Sequence, residues 1–290
     1  MSKVVNAMTV DVEDYYQVSA FESLVNKQRW ADHPSRVEKN TYSCLDLFER
    51  NDIKATFFML GCIAEAAPEM AKEIIAQGHE LASHGYSHVR VINQTQVEFG
   101  QDIRLTKQIL EQIGGQAISG YRAASYSISA KTPWAYEELK DAGYQYSSSI
   151  YPIRHDLYGD PGAPRFPFAK LAGSFTEIPV TTARYFGTNW PAGGGGYFRL
   201  LPYWYSKAAL NSVNSRDKMP SVFYFHPWEI DPNQPKIPGT PLKTRIRHYS
   251  NLKIMERKLG RLARDFRWSR LDSLLDLPAN RFNPQPNTSL

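Results

Sequence analysis

The chain has 290 residues, of which 42% are hydrophobic and 22% are charged, a balance typical of ordinary globular proteins. One barrel-type domain of this length is routine, and the sequence shows no internal repeat. The net charge of +5 does not indicate a nucleic-acid partner, because much of the excess lies in residues 243–270, where it is typical of a solvated helix face.

Neither the N-terminal residues nor the cysteines show the pattern of a leader, a membrane span or a disulfide framework. No leader pattern precedes Val4, and no run of about 18 apolar residues is present to span a membrane. We therefore expect no membrane span and a cytoplasmic location. Cys44 and Cys62 both fall in apolar surroundings, which favours two buried free thiols over a disulfide.

In the first half of the chain, short apolar runs alternate with segments of helical period. The predicted strands are 4–11, 55–60, 80–83 and 119–122, and a helix covers 43–50. Pro68 suits the first turn of a second helix, which ends near Gly78. Thr95 and Glu98 form a capping-box pattern at the start of a third helix, which closes at Gly114 and Gly115.

The same alternation continues in the second half. It predicts helices at 133–142 and 202–214 and strands at 146–149, 175–180 and 221–225. Residues 151–170 contain four prolines and are predicted to form a long ordered loop. The glycine run at 193–196 lacks the lysine and hydroxyl residue of a phosphate-binding loop, so we interpret it as a tight bend beside the site.

Alternating strands and helices predict an α/β fold, with a parallel sheet and helices outside it. In a β/α barrel the C-terminal ends of the strands meet at one face, where catalytic loops converge. We predict one domain over residues 1–277, with a core at 4–230 and a helical extension at 231–277. The segment 278–290, rich in proline and asparagine, is predicted to be a flexible tail.

Candidate site residues follow several of these strands. His84 and His88 come after the third strand, and three carboxylates, Asp11, Glu13 and Asp14, lie at the end of the first. Two imidazoles and one carboxylate make a three-ligand metal site with room for water. Ionised carboxylates near a buried strand end need a cation, which a metal would provide.

The spacing of the carboxylates divides their roles. Asp11 and Glu13 are two residues apart and therefore point to the same side of an extended strand. Asp14 joins them only if the strand has ended in a turn. One carboxylate must stay free of the metal to accept a proton from water, and we assign this role to Asp11. The spacing leaves either Glu13 or Asp14 as the metal ligand.

The order of these residues resembles the polysaccharide deacetylases of carbohydrate esterase family four, whose homology domain is a distorted β/α barrel. The family's Thr-Phe-Asp-Asp-Gly motif is replaced here by Thr9-Val10-Asp11-Val12-Glu13-Asp14. This spacing resembles a subgroup in which the residue at Glu13 is the ligand, although Asp14 stays open. The His-Ser/Thr-x-x-His motif is His84-Gly85-Tyr86-Ser87-His88, where Gly85 departs from the hydroxyl residue.

Two further motifs carry the resemblance. Arg-x-Pro-Tyr appears as Arg122-Ala123-Ala124-Ser125, followed by Tyr126. The resemblance implies that Arg122 orients the catalytic carboxylate and that the Ser125 N–H helps to bind an oxyanion, a backbone role that survives side-chain replacement. The alternative for Arg122 is a plain ion pair. Leu-x-His appears as Tyr224-Phe225-His226, which implies that His226 is the general acid.

Weaker expectations concern the substrate groove and the other histidines. Tyr126, Glu177 and Trp228 are candidate substrate-binding residues. We interpret the remaining histidines as structural or surface residues: His33, His79, His155 and His248. The sequences around Asp11 and His226 together resemble the branch of the family found with bacterial exopolysaccharide and exosortase loci.

The resemblance implies a metal-dependent hydrolase, with zinc as the preferred metal, that removes N-acetyl groups from an amino-sugar-containing polysaccharide or its precursor. The expected partner is therefore a carbohydrate bearing N-acetyl groups. One alternative is a metal-independent hydrolase of the cyclic imide or allantoin type with the same fold. The other is a catalytically silent carbohydrate-binding domain.

Overall fold

Strands and helices alternate along the chain in a computed structural model that describes residues 4–156 and 158–276. The strands are β1 (Val5–Val12), β2 (Thr56–Met59), β3 (Glu80–Ser83), β4 (Gly120–Tyr121), β5 (Tyr146–Ser147), β6 (Phe168–Lys170), β7 (Phe175–Glu177), β8 (Thr182–Tyr185), β9 (Thr188–Pro191), β10 (Val222–Phe225) and β11 (Arg267–Ser269). The α-helices are α1 (Val37–Glu49), α2 (Gly61–Ala66), α3 (Pro68–Ala76), α4 (Gln96–Gly114), α5 (Ala135–Asp141), α6 (Gly195–Leu200), α7 (Tyr203–Ser212), α8 (Leu242–Tyr249) and α9 (Leu252–Asp265). The tail predicted at 278–290 lies outside the described residues.

The main sheet has the strand order β10-β1-β2-β3-β4-β5-β7-β6, and β11 pairs with β1. Its neighbours are parallel except for β6 and β7. In register, Asp11 of β1 pairs with Phe58 of β2, and Met59 pairs with Ser83 of β3. The C-terminal ends of these strands therefore reach the same edge, as the alternating pattern predicted.

The regular ladder leaves a gap between β7 and β10, and irregular backbone hydrogen bonds span it. The N–H of Thr181 donates to the carbonyl of Val222 over 3.2 Å, and the N–H of Tyr224 donates to the carbonyl of Gly193 over 2.7 Å. Gly194 and Tyr224 also form an isolated parallel bridge. These bonds satisfy the exposed edge of β10 and curve the sheet into a distorted barrel.

The central strands are buried on both faces, as expected for a parallel sheet covered by helices. Successive residues point to opposite faces. Phe57 packs with the helices, its ring 5.9 Å from that of Phe48 in α1, whereas Phe58 belongs to a separate cluster with Ala82 and Tyr146. Each phenylalanine is fully buried, which contributes about 1.5–3 kcal/mol to the free energy of folding.

Helix ends follow the predicted signals. The Thr95 hydroxyl accepts from the N–H of Glu98, whose carboxylate accepts from the N–H of Thr95, so the capping box is present. Gly115 closes α4 in the left-handed conformation, at φ 65°. Pro68 occupies the first turn of α3, and Gly78 follows that helix at φ 80°. These predictions are confirmed.

Four strands were not predicted. The antiparallel pair of β8 and β9 forms a separate two-stranded ribbon, and β6 lies inside the segment 151–170 that we expected to be loop. The short β11 pairs with Val5–Ala7 of β1, below the point where β2 joins that strand. Leu271, which follows β11, packs beneath the barrel, and its N–H donates to the Thr56 hydroxyl.

The C-terminal helices have the solvated basic face that the sequence predicted. In α9 one face is buried, whereas Lys253 and Arg257 on the other face are exposed. Both cysteines are free thiols. Among the described residues, no helix is long and apolar enough to cross a membrane.

Candidate active site

A cavity of about 210 Å³ opens where the C-terminal ends of the strands converge. Most of the predicted site residues line it: Asp11, Glu13, His84, His88, Ser125, Tyr126, His226 and Trp228. Residues so distant in sequence meet because parallel strands end at one edge of the sheet. The fold therefore places carboxylates, imidazoles and aromatic rings in one small space.

Glu13, His84 and His88 form a candidate metal centre, since their ligand atoms all lie within 4.8 Å of one another and the three side chains are buried. Nε2 of His88 lies 3.0 Å from Oε2 of Glu13. That oxygen nevertheless has no aligned hydrogen-bond donor among the described residues. A buried carboxylate oxygen without a donor is costly, and a cation at this position would satisfy it.

The tautomer of His84 suits metal binding. Its Nδ1 lies 2.8 Å from the carbonyl oxygen of Arg122, and since a carbonyl only accepts, Nδ1 carries the proton. Nε2 is then left with a lone pair for a cation, the usual arrangement of histidine ligands. Burial lowers the pKa of His84 to about 4, so its imidazole is neutral at pH 7.

Glu13 supplies the negative charge of the centre. Burial by itself would raise its pKa, but attraction to His88 and His226 outweighs burial and lowers the pKa to about 2. One ionised carboxylate and two imidazoles are a ligand set that zinc accepts, with a coordination position left for water. The residues present therefore fit a divalent cation.

Asp14 serves a different purpose. Its carboxylate accepts from the N–H groups of Arg36 and Val37, over 2.8 and 3.1 Å, at the start of α1. It also accepts from the Ser35 hydroxyl over 2.8 Å and from the N–H of Tyr15 over 2.9 Å. The structure does not bring Asp14 to the metal centre, because these donors hold it at the helix N-terminus.

Asp11 is held by Arg122. Nη1 of Arg122 donates to Oδ1 of Asp11 over 2.5 Å and to the Thr9 hydroxyl over 2.8 Å. Its Nε and Nη2 donate to the carbonyl and hydroxyl of Ser148, and its guanidinium lies 4.0 Å from the ring of Phe58. With its own position fixed on every side, Arg122 fixes the orientation of the Asp11 carboxylate.

His226 stands between two carboxylates. Its Nε2 lies 3.2 Å from Oε1 of Glu13, and its Nδ1 lies 2.9 Å from Oε1 of Glu229. Burial by itself would lower the pKa of His226, but Glu13 and Glu229 together raise it to about 9. The imidazole is therefore protonated at pH 7 and has a proton to donate.

Glu229 and Arg199 were not predicted as site residues. Arg199 donates from Nε to Glu229 over 2.7 Å, and both side chains are buried. Despite its burial, Glu229 has its pKa lowered to about 2, chiefly by Arg199. The spacing of His226 and Glu229, three residues apart across a turn, was the signal in the sequence that would have pointed to this pair.

Ser125 and Tyr126 adopt the left-handed conformation in succession, at φ 52° and 50°. This conformation is uncommon for residues other than glycine, and such strain concentrates at functional sites. The Ser125 hydroxyl lies 2.7 Å from that of Ser19, and the Tyr126 hydroxyl lies 3.5 Å from Oδ2 of Asp11. The unusual backbone places both residues at the cavity wall.

The remaining candidates differ in position. Trp228 lines the cavity, with its ring stacked between His226 at 5.0 Å and His248 at 4.0 Å. Glu177 does not line the cavity: it is fully buried and accepts from the N–H groups of Ser149 and Ile150. Glu177 therefore lies outside the predicted substrate groove, because the N–H groups that follow β5 hold its carboxylate in the interior.

The other histidines also take distinct positions. His79 and His248 are buried, and His33 is partly exposed outside the cavity. His155 lines the cavity and stacks on Tyr158 at 4.0 Å. His248 and His155 therefore border the site although neither was predicted there.

Two family models match successive parts of the chain. The first, described as polysaccharide deacetylase, matches residues 30–147, and the second, described as a domain of unknown function (DUF3473), matches residues 148–276. The first range contains His84, His88 and Arg122, whereas the β1 carboxylates precede it and His226 falls in the second.

Curated relatives match over short stretches. The chain is 36% identical over 77 residues to a peptidoglycan-N-acetylglucosamine deacetylase of Bacillus cereus, covering 27% of this chain and 28% of that protein. It is 31% identical over 106 residues to a peptidoglycan deacetylase of Helicobacter pylori, covering 37% and 35%. The chain thus spans about a third of the length of these relatives.

A solved structure from Mycobacterium smegmatis, assigned to the polysaccharide deacetylases, aligns with 100% of this chain and 96% of its own, at a TM-score of 0.64 and 19% identity. A peptidoglycan deacetylase of Bacillus subtilis aligns with 97% of this chain and 94% of its own, at a TM-score of 0.50 and 14% identity. These likenesses show a shared fold. Residues 30–147 therefore match the polysaccharide deacetylase family, and the chain as a whole has the fold of solved structures assigned to that family.

Proposed function

We propose that this chain is a metal-dependent hydrolase that removes N-acetyl groups from an amino-sugar-containing polysaccharide or its precursor. The observation that carries the proposal is the convergence of a fitting metal centre, a positioned carboxylate and a protonated imidazole on one cavity. Hydrolysis of an amide needs these three groups: an activator of water, a base and an acid.

Glu13, His84 and His88 would hold the metal, with zinc preferred for this ligand set. When bound, such an ion supplies Lewis acidity, which lowers the pKa of water and polarises a carbonyl group. The chain's own contribution is to keep the His84 imidazole neutral, to orient it through the Arg122 carbonyl and to bury the centre away from bulk solvent.

Asp11 is the proposed base. Since Arg122 occupies Oδ1, Oδ2 is the oxygen that accepts the proton of the attacking water. The Ser125 N–H would bind the negative oxygen that develops on the acetamide carbon. His226 would donate its proton from Nε2 to the sugar nitrogen as the carbon–nitrogen bond breaks, so that acetate and a free amine leave.

The relatives support the substrate class. Curated proteins that match include peptidoglycan deacetylases and a chitooligosaccharide deacetylase of Bradyrhizobium, all named for N-acetylated glycans or their deacetylation. The motif pattern around Asp11 and His226 resembles the exopolysaccharide-associated branch. On the basis of this resemblance, we propose that the reaction belongs to exopolysaccharide biosynthesis.

The test combines metal analysis with acetate release. Wild-type protein should contain about one divalent ion per chain by plasma mass spectrometry, and a His84→Ala/His88→Ala variant should lose it together with acetate release from N-acetylated glycans. His33→Ala, outside the cavity, is the control and should keep both. Acetate release by metal-free protein would instead support a metal-independent amidohydrolase. Glycan binding without any acetate release would support a silent binding domain.

A further inference from the structure

A second and larger concavity, of about 1240 Å³, adjoins the active-site cavity. It lies between the segments 153–154 and 161–168 on one side and the ribbon of β8 and β9 on the other, and Tyr197 lines both spaces. We call this concavity the acidic-glycan groove. We propose that it binds the uronic-acid or otherwise carboxylated part of a polysaccharide whose N-acetylated sugar occupies the active site. The inference rests on the proposed function and names its substrate class.

The charged side chains of the groove all have one sign. Arg154, Arg165 and Arg184 line it, and no carboxylate residue does among the described residues. Arg165 is engaged, since it donates to Asp217 over 2.8 Å and to the carbonyl of Thr182 over 2.7 Å. It therefore supports the wall of the groove rather than offering a free charge.

Arg154 and Arg184 are the available cations. Both are exposed, and in the described part of the chain neither has a carboxylate within ion-pair distance. Guanidinium groups recognise carboxylates through paired hydrogen bonds, and a concave wall concentrates their field. Two unpaired arginines in one groove therefore favour an anionic ligand over a neutral one.

The groove also offers aromatic surface. Trp190 on β9 is 48% exposed, a large value for an indole, and Tyr205 and Tyr197 line the groove near it. Exposed aromatic side chains in a concave site indicate a ligand with apolar faces and polar edges. Sugar rings have that character, whereas a free inorganic anion does not. Rings and cations together therefore indicate an acidic glycan.

The groove has the right position for a polymer. Because Tyr197 lines both spaces, a chain that places its acetamide beside His84 can continue along the groove. All of its lining residues fall between Ile153 and Tyr205, inside the region matched by the domain of unknown function. This matched region thus contributes the surface that would choose between acidic and neutral polysaccharides.

The test compares two probes of equal length. Hyaluronan oligosaccharides alternate N-acetylglucosamine with a carboxylated sugar, whereas chitooligosaccharides are neutral. Binding to the metal-loaded protein is measured by tryptophan fluorescence and calorimetry at low and physiological salt. We expect hyaluronan oligosaccharides to bind at least about tenfold more tightly, with an advantage that shrinks as salt rises.

Variants of the lining residues test whether the groove causes the preference for hyaluronan oligosaccharides. Arg154→Ala/Arg184→Ala should remove most of the hyaluronan advantage and its salt dependence, and Trp190→Ala should remove the part of the fluorescence change that arises in the groove. Arg257→Ala/Arg264→Ala, which removes two exposed arginines of α9 outside the groove, should bind like wild type. Equal affinity of the wild type for both probes, or a hyaluronan preference that survives Arg154→Ala/Arg184→Ala, would overturn the proposal.

The two proposals fail separately. If the wild type releases no acetate from either probe but prefers hyaluronan through Arg154 and Arg184, the deacetylase function is wrong and the acidic-glycan groove stands. If acetate is released but the protein binds hyaluronan oligosaccharides and chitooligosaccharides with equal affinity, the deacetylase function stands and the groove assignment is wrong.

Discussion

The guanidinium of Arg122 donates to Asp11 over 2.5 Å in an interior where neither side chain is more than 3% exposed. A buried ion pair is costly to form, and its cost is offset only when further hydrogen bonds satisfy both groups. Thr9 and Ser148 provide those bonds to Arg122. The pair therefore fixes the direction of Asp11 before any substrate arrives, which is what a catalytic base requires.

Replacing the base should separate chemistry from metal binding. We expect Asp11→Asn to keep about one metal ion per chain and to lower kcat by a factor of about 10²–10⁴, because general-base catalysis contributes that much. Metal content and acetate release measure the two effects. Asp46→Asn, an exposed substitution on α1, is the control. Near-normal turnover by Asp11→Asn would show that another group is the base.

Glu13 and Asp14 are adjacent but should respond differently. We expect Glu13→Gln to weaken metal binding by at least about 100-fold, since second-shell losses alone cost 10–100-fold. Asp14→Ala should keep the metal and lower the free energy of unfolding by about 2 kcal/mol, because the α1 N–H groups lose their acceptor. Metal titration and urea unfolding are the measurements. The opposite pattern would make Asp14 the ligand.

The Glu229 carboxylate should set the alkaline limit of activity. Glu229 helps to raise the pKa of His226 to about 9, so Glu229→Gln should lower that pKa. An acid works only while protonated, and the loss of kcat at high pH should therefore begin at a lower pH in the variant.

The control for this experiment is Glu177→Gln, which alters another fully buried carboxylate outside the cavity. It should lower stability without moving the pH profile of kcat. If Glu229→Gln also leaves the alkaline limb unchanged, proton donation by His226 does not govern that limb.

Glu80, at the opposite end of the barrel, should make stability depend on pH. Burial and the nearby Asp272 raise its pKa from 4.5 to about 7. A raised carboxyl pKa means that the folded state holds the proton more tightly than the unfolded state does. The contribution of protonated Glu80 to the free energy of unfolding is therefore fully present below pH 4.5. This contribution is lost as the pH rises from 4.5 through about 7, and the free energy of unfolding should fall by about 3 kcal/mol over that range.

Glu80→Gln mimics the protonated form and should remove most of this dependence in urea unfolding at pH 5 and pH 8. The amide can still accept from the Tyr146 hydroxyl, as the carboxyl does over 2.8 Å. Glu49→Gln, exposed at the end of α1, is the matched control and should keep the wild-type dependence. An unchanged slope in Glu80→Gln would assign the dependence to other groups.

The sequence predicted most of the site because the chemistry sits at strand ends. Apolar runs locate the parallel strands, and the residues at or just after the end of each strand lie at the shared edge whatever their distance along the chain. Asp11, His84 and His226 were found in this way. Arg199 was not, because it lies in α6, and only the tertiary fold shows that it reaches Glu229.

What the sequence did not predict depends on contacts between distant segments. The three-residue β11 has no period of its own and is a strand only because Val5–Ala7 lies beside it. Likewise, spacing left Asp14 as a possible ligand until the fold showed the α1 N-terminus beside it. Glu177 shows the same limit, since its backbone donors lie in the segment that follows β5, about 28 residues earlier in the chain.

The pairing of β1 has a consequence for the order of events during synthesis. This strand, which holds Asp11, takes its neighbours from Thr56–Met59, from Val222–Phe225 and from Arg267–Ser269. The ribosome therefore releases the strand carrying the catalytic base long before two of its three partners exist. One edge of β1 therefore lacks its partner while some two hundred further residues are synthesised, and unpaired apolar strand edges favour aggregation during such a period.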